Sequence, residues 1–290
     1  MPFLKVGEEN LSDVEIYYED HGLGRPVVLI HGWPLNGASW EKQIPELLNA
    51  GCRVITYDRR GFGKSSKPAI GYDYDTLSED LSKLLVHLDL RSVTLVGFSM
   101  GTGEIARYLG SFGAKRIEKA IFISGILPCL VRSPNNPQGI NSAIFEDIQE
   151  KLAKDRFSFF SEFLWNFYNL ANLEGKLISK EAVQASWNTA SIASPIGSQK
   201  CVQSWMTDFR SDLVRVDIPT LIIHGDADQI LPIESTAYPL KQALKNTELV
   251  VIDQGPHGIL WTHADQVNNS LLRFLHGKRI TIEPSPALPI

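Results

Sequence analysis

Long apolar runs are missing from this chain: the longest, such as 120–123 and 220–223, are strand-length, far short of the roughly 20 residues that a bilayer span requires. No membrane partner is expected. The opening Met1-Pro-Phe-Leu-Lys5 lacks the apolar stretch of a secretory leader, so the expected location is cytoplasmic. A basic excess is missing too, because 28 Lys and Arg face 33 Asp and Glu for a net charge of -5. Nothing is left over to neutralise phosphates, which argues against nucleic acid as a partner. Cysteine is scarce: Cys52, Cys129 and Cys201 are odd in number, far apart and without C-x-x-C spacing. They are expected to be buried or half-buried thiols with no zinc or redox role. No H-E-x-x-H motif, carboxylate-rich cage or internal repeat is present, so no metal is expected.

What is present is ordinary for a globular chain: 290 residues, 43% hydrophobic and 21% charged. That length suits two domains, or one large α/β domain carrying an insertion. From residue 14 to about 125, short β-branched runs alternate with helical patterns, the signature of a wound α/β sheet. Strands are predicted at 14–18, 27–30, 53–56, 93–96 and 120–124. Helical stripes run through Trp40, Ile44, Leu47 and Leu48, through Leu77, Leu81, Leu84, Leu85 and Leu88, and over 100–109. The alternation breaks at about 127–213. There a Pro/Asn loop at 133–137 precedes an aromatic-rich helical block with Phe157, Phe159, Phe160, Phe163, Trp165, Phe167, Tyr168, Trp187 and Trp205. Strand and helix patterns resume at 220–224, 233–244, 249–252 and 264–275. The reading is an α/β fold, a mostly parallel sheet flanked by helices, with core segments 1–126 and 216–277. A helical cap at 127–215 interrupts it, an insertion of roughly 85 residues that is too long for a plain loop. The aperiodic, proline-bearing stretch 278–290 reads as a mobile tail.

Gly97-Phe-Ser-Met-Gly101 has the G-x-S-x-G pattern, which chance alone produces in roughly one chain in seven of this composition. Context gives it weight: it follows the predicted strand 93–96 and opens the predicted helix near Met100. A serine on that turn presents its Oγ above the sheet's carboxyl end, beside free N–H groups of a helix N-terminus. A hydroxyl is a weak nucleophile unless a base takes its proton and a third group orients the base. In such an architecture the chain order is Ser, acid, His. Asp228, in His224-Gly-Asp-Ala-Asp-Gln229, and His257, in Gly255-Pro-His-Gly258, supply both in that order. Asp226 competes with Asp228 for the acid role. The further residue is preferred, because the turn needs length to leave the strand before a side chain can reach the histidine. No carboxylate follows the strand at 120–124 to offer another acid.

Acyl chemistry also needs two backbone donors for a developing oxyanion. The candidates are the N–H of Met100, after the serine, and that of Trp33, in the loop His31-Gly-Trp-Pro34. The Trp33 indole is either pocket wall or core packing. Trp33, Phe160, Ile230 and Leu231 are the candidate pocket residues. Of the remaining histidines, His21, His87, His263 and His276 are expected on the surface, and His224 as a satisfied strand-end residue.

His31-Gly-Trp-Pro-Leu35, Thr56-Tyr-Asp-Arg-Arg-Gly-Phe-Gly-Lys-Ser65, Gly71-Tyr-Asp-Tyr-Asp75, Gly97-Phe-Ser-Met-Gly-Thr-Gly-Glu-Ile-Ala-Arg-Tyr108 and Pro256-His-Gly258 resemble the cofactor-free bacterial chloroperoxidases, or perhydrolases, of the α/β-hydrolase superfamily. Aryl esterases and γ-lactamases share the pattern, and the likeness runs over residues 2–277. The resemblance implies an α/β-hydrolase fold with a helical cap over an apolar pocket. It implies a Ser99, Asp228, His257 triad with Trp33 and Met100 as oxyanion donors. It also implies no metal, haem or other cofactor, and commonly a homotrimer or larger assembly. In such proteins an acyl-enzyme formed from a short carboxylic acid, ester or amide is attacked by hydrogen peroxide instead of water, and the released peracid oxidises halide away from the protein. Pro34 matches the perhydrolase-like members, where its effect on the loop is expected to favour peroxide. The same triad would also serve a γ-lactamase, a carbon–carbon bond hydrolase, or a small-molecule receptor with slow or no turnover. Dehalogenases and epoxide hydrolases of the superfamily carry an aspartate at the position of Ser99. A haem or vanadium peroxidase would need a ligand set that is not evident here.

Overall fold

The computed structural model describes residues 2–277; the stretch 278–290, expected to be a tail, lies outside the described residues. The first half contains strands β1 (Phe3–Glu9), β2 (Ser12–His21), β3 (Pro26–Ile30), β4 (Arg53–Tyr57), β5 (Val93–Phe98) and β6 (Ile117–Ile123). Helices α1 (Ile44–Asn49), α2 (Tyr74–His87) and α3 (Gly101–Phe112) connect them. Between β6 and the next strand lie α4 (Ser142–Phe167), α5 (Leu170–Leu173), α6 (Lys180–Ser191), α7 (Pro195–Ser204) and α8 (Arg210–Leu213). The chain then returns through β7 (Thr220–Gly225), α9 (Ala237–Ala243), β8 (Thr247–Ile252), α10 (Ile259–Thr262) and α11 (Ala264–Leu275).

The strands form one sheet in the order β1-β2-β4-β3-β5-β6-β7-β8. β1 and β2 pair antiparallel, and β2 joins β4 antiparallel, whereas all pairs from β4 to β8 are parallel. A parallel sheet is covered on both faces, so its strands need apolar side chains on both. Val27, Val28, Leu29 and Ile30, and likewise Val93, Leu95 and Val96, are almost wholly buried. The β1 strand escapes the pattern read from sequence, which begins at residue 14. Only Val6 of β1 is buried, so the strand carries little apolar signal. Cys52, Cys129 and Cys201 are all buried and free. His263, expected on the surface, is half-buried, with its Nδ1 2.9 Å from Thr262 Oγ1.

Two features of this frame shape the carboxyl end of the sheet. Helix α4 is broken at Asp155, whose extended backbone (φ -157°, ψ 90°) interrupts the helical run. Asp155 Oδ1 accepts from the N–H groups of Phe157 and Ser158 at 3.1 and 3.0 Å, capping the second arm as a fresh helix start. Beneath the strand ends lies a buried ionic network. Arg59, 1% exposed, pairs with Glu104 of α3, 0% exposed, and Tyr57 donates its hydroxyl to the same carboxylate. The other edge of the Arg59 guanidinium donates to the His31 carbonyl at 2.7 Å, and the Arg59 backbone N–H donates to His31 Nε2 at 2.9 Å. His31 Nδ1 therefore carries the hydrogen and donates to Gly32 O at 2.8 Å. Burial, reinforced by the Arg59 charge, holds this imidazole well below its usual pKa, and so neutral.

Removing Glu104 would strand the Arg59 charge in the interior. Glu104→Ala is expected to cost about 3–5 kcal/mol in urea unfolding. Asp20→Ala, which opens the half-buried Arg53 pair at 2.6 Å, is expected to cost about 1 kcal/mol or less. Equal losses in the two variants would contradict this account of the network.

Candidate active site

Ser99 occupies the turn between β5 and α3 with φ +54°, a left-handed conformation that costs a non-glycine residue of order 1–3 kcal/mol. The glycines on either side explain how the turn closes. A Cβ on Gly97 would lie 2.7 Å from Gly101 O, and one on Gly101 would lie 2.4 Å from Ile30 O. Only glycine lets these backbones meet. The turn is pinned by Ser99 N–H donating to Ile123 O at 2.8 Å. The loop after β3 abuts it, since a Cβ on Gly32 would lie 3.0 Å from Ser99 Cβ. Neither the Trp33 nor the Met100 backbone N–H is taken by an acceptor among the described residues. Trp33 is joined to Pro34 by a cis peptide.

The two partners arrive from strands on the far side of β6. His257, fully buried in the loop after β8, places Nε2 2.9 Å from Ser99 Oγ and Nδ1 2.7 Å from Asp228 Oδ2. Its backbone is held from below by Ser124 Oγ, which donates to His257 O at 3.3 Å, and its ring lies between Phe98 and Phe167. Asp228 follows β7, and its other oxygen accepts the N–H groups of Ile230 and Leu231 at 2.9 and 2.8 Å. Burial alone would raise this carboxyl. The facing His257, together with the N–H donors of His224 and His257, outweighs burial and holds it well below the usual carboxylate range. Asp226, the rival acid, is exposed. The loops meet because a Cβ on Gly225 would lie 2.0 Å from Gly255 O, an approach no larger residue allows.

Above Ser99 lies a cavity of about 230 Å³ whose walls are mostly apolar, with Trp33, Ile126, Leu130, Phe159, Phe163 and Leu231 among them. Trp33, Ile230 and Leu231 line it as anticipated from sequence, but Phe160 does not. Phe159 and Phe163 sit four residues apart on the face of α4 that meets the cavity. Phe160 is turned roughly 100° away from Phe159 and packs edge-on against Trp33, ring centroids 5.7 Å apart. The Trp33 indole serves both of its anticipated roles. It lines the cavity, and it is 1% exposed among aromatic neighbours, with Nε1 donating to Ser198 O of α7 at 3.2 Å. The sequence reading missed the contribution of 126–148 to the cavity wall, because that stretch carries no regular period before α4. His224 also departs from expectation. Its Nδ1 is buried without a partner, and its Nε2 lies 3.2 Å from Asp228 Oδ2, so it is not a satisfied bystander.

Among the described residues no group of three or more His, Cys, Asp or Glu side chains is arranged to hold a metal ion, and no helix is long and apolar enough to cross a membrane.

A serine on a tight turn after β5, joined by hydrogen bonds to a histidine and an aspartate from later strand ends, is an arrangement that marks a class of protein. The chain belongs to the α/β-hydrolase family, whose sequence profile matches residues 25–264. It is 57% identical over 275 residues to a Synechocystis sp. protein provisionally named a non-heme chloroperoxidase, covering 95% of this chain and 100% of that one. The crystal structure of a bromoperoxidase from Bacillus anthracis superposes with a TM-score of 0.91 at 47% identity, covering 94% of this chain and 99% of that one. A bifunctional esterase/perhydrolase of Acinetobacter calcoaceticus is 31% identical over 265 residues, 90% of this chain and 96% of the relative.

The geometry separates the two aspartates in a measurable way. Asp228→Asn is expected to lower kcat for an activated ester by about 10⁴, through loss of the correct imidazole tautomer. Asp226→Asn is expected to stay within about twofold of wild type, as a surface change remote from the chemistry should. The opposite ranking would move the acid role to Asp226.

Proposed function

We propose that the chain is a serine-dependent acyl hydrolase of small esters and amides that also performs perhydrolysis. One observation carries the reading: Ser99 Oγ, the His257 imidazole and the Asp228 carboxylate stand in hydrogen-bonding sequence at the floor of an apolar cavity. His257 Nε2 takes the Ser99 proton as Oγ attacks the acyl carbon, and Asp228 stabilises the imidazolium that results. The oxyanion is received by the N–H groups of Trp33 and Met100. Collapse expels the alcohol or amine, which takes its proton from His257 and leaves an acyl-Ser99 ester. His257 then deprotonates water, giving a carboxylic acid, or hydrogen peroxide, giving a peracid, and Ser99 is regenerated. The peracid oxidises halide to hypohalous acid and returns to the carboxylic acid. The name borne by the chloroperoxidase relatives fits that sequence of events. The helices between β6 and β7 act as the cap that shapes the acyl site.

The cavity mouth narrows the substrate class. Its wall includes Asp147, Lys151 and Glu162, all partly exposed, with Lys151 Nζ 3.2 Å from Asp147 and 2.9 Å from Glu162. Two carboxylates to one ammonium leave the entrance negative, so neutral esters or protonated acids are favoured over carboxylate-bearing substrates.

A panel of acetate esters, a γ-lactam and acetate with hydrogen peroxide, run on wild type and Ser99→Ala, tests the chemistry. Multiple turnover by wild type is expected, with a loss on the order of 10⁴ to 10⁶ in kcat for Ser99→Ala. Near-normal turnover by the variant overturns the nucleophile assignment, and a single turnover by wild type favours a binding protein. For the entrance, Glu162→Gln is expected to raise kcat/KM for a mono-p-nitrophenyl ester of a dicarboxylic acid by about fivefold, equivalent to about 1 kcal/mol of screened repulsion. Hydrolysis of p-nitrophenyl acetate should not change, and an equal response from both esters would remove charge from the account.

A further inference from the structure

His224 ends up beneath the acid loop with no exposure to solvent. Its Nε2 lies 2.8 Å from Leu231 O and 3.2 Å from Asp228 Oδ2. A carbonyl and an ionised carboxylate only accept, so Nε2 must carry the hydrogen, which is shared between them and lies closer to the carbonyl. Nδ1 has no partner. The ring thus presents one defined tautomer to the loop.

The atoms it touches give the ring two effects. Leu231 donates its N–H to Asp228 Oδ1 and gives its carbonyl to His224, so the ring closes the 228–231 turn from the strand side. Asp228 Oδ1 accepts the N–H groups of Ile230 and Leu231 and Oδ2 faces His257 Nδ1, and the polar edge of His224 stands beside Oδ2, its Nε2 3.2 Å away. The oxygen that holds the base is the same one that His224 engages.

We propose that His224 is a positioning residue for the acid of this site, fixing through its Nε2–H both the orientation of Asp228 and the strength with which Oδ2 holds His257. The inference rests on the hydrolase function proposed for the site. A carboxylate oxygen with the His224 Nε2–H beside it pulls less on the imidazolium, so loss of His224 would tighten the hold of Oδ2 on His257. The titratable groups facing Asp228 are His257, from the loop after β8, and His224, from β7. The groups facing His257 are Asp228, Ser99 and the uncharged rings of Phe98 and Phe167. Asp226 faces solvent.

The test compares His224→Leu, which removes the donor, with His224→Gln, whose amide nitrogen can reach the place of Nε2. kcat/KM for p-nitrophenyl acetate is followed against pH. His224→Leu is expected to move the acid limb upward by about half to one pH unit and to lower kcat about tenfold, with little change in KM. His224→Gln is expected to return the limb to its wild-type position. A folded His224→Leu with an unmoved limb, or a Gln variant no better than Leu, overturns the proposal. Should His224→Leu fail to fold, ¹⁵N-histidine spectra of the wild-type protein decide the matter. Nε2 protonated and Nδ1 bare at His224 is the expected pattern, and the reverse overturns the proposal. Absence of ester turnover in the wild type would instead remove the hydrolase reading, while leaving the tautomer result intact.

Discussion

Asp228 is sealed from water, and a carboxylate in that position keeps its charge only because N–H groups occupy its lone pairs. Two of those donors come from its own turn and one from the loop after β8, and His224 Nε2 of the strand below stands 3.2 Å from the same carboxylate. Their convergence depends on parallel pairing of β6, β7 and β8, which brings consecutive loops to one edge of the sheet. It depends also on Gly225 and Gly255 touching backbone to backbone. In the function proposed above, the negative charge so maintained compensates the positive imidazole at the moment a proton arrives. The Ser99 turn and the cavity above it stand at the end of that chain of hydrogen bonds. The strained serine turn, the bare N–H groups and the apolar walls would otherwise be ordinary features of a wound sheet.

The opposite wall is built from a helix that is not continuous. Because Asp155 restarts α4, its two arms diverge enough for Ile144, Phe145 and Ile148 of the first and Phe159 and Phe163 of the second to face the same cavity. Lys151 and Glu162 then bridge the arms at the entrance. The inner surface stays apolar, and charge is kept to the rim, where water screens it.

Much of this architecture is legible in the amino-acid sequence. The inner parallel strands β3, β5 and β7 are almost wholly buried apolar runs, and such runs are conspicuous, whereas the edge strand β8 is buried only at its two ends. Ser99 and Asp228 follow buried runs and His257 follows the edge strand β8, and reach along the turn is enough to prefer Asp228 over Asp226 as the partner of His257. The edge strand β1 is not legible, because only Val6 turns inward. Phe160 is misplaced for a related reason: in a block with an aromatic at nearly every position, composition does not say which of Phe159, Phe160 and Phe163 faces the cavity. That is decided by the restart at Asp155, a short-range capping event. His224 looks inert in the sequence because its importance comes from an oxygen four residues away, which only the closed turn brings within reach.

The hydrogen bond from the Trp33 indole to Ser198 joins the loop after β3 to helix α7. The same residue lines the cavity with Ser99, so a single side chain ties the helices between β6 and β7 to the cavity floor. Any displacement of those helices would therefore pull on the loop that abuts the Ser99 turn.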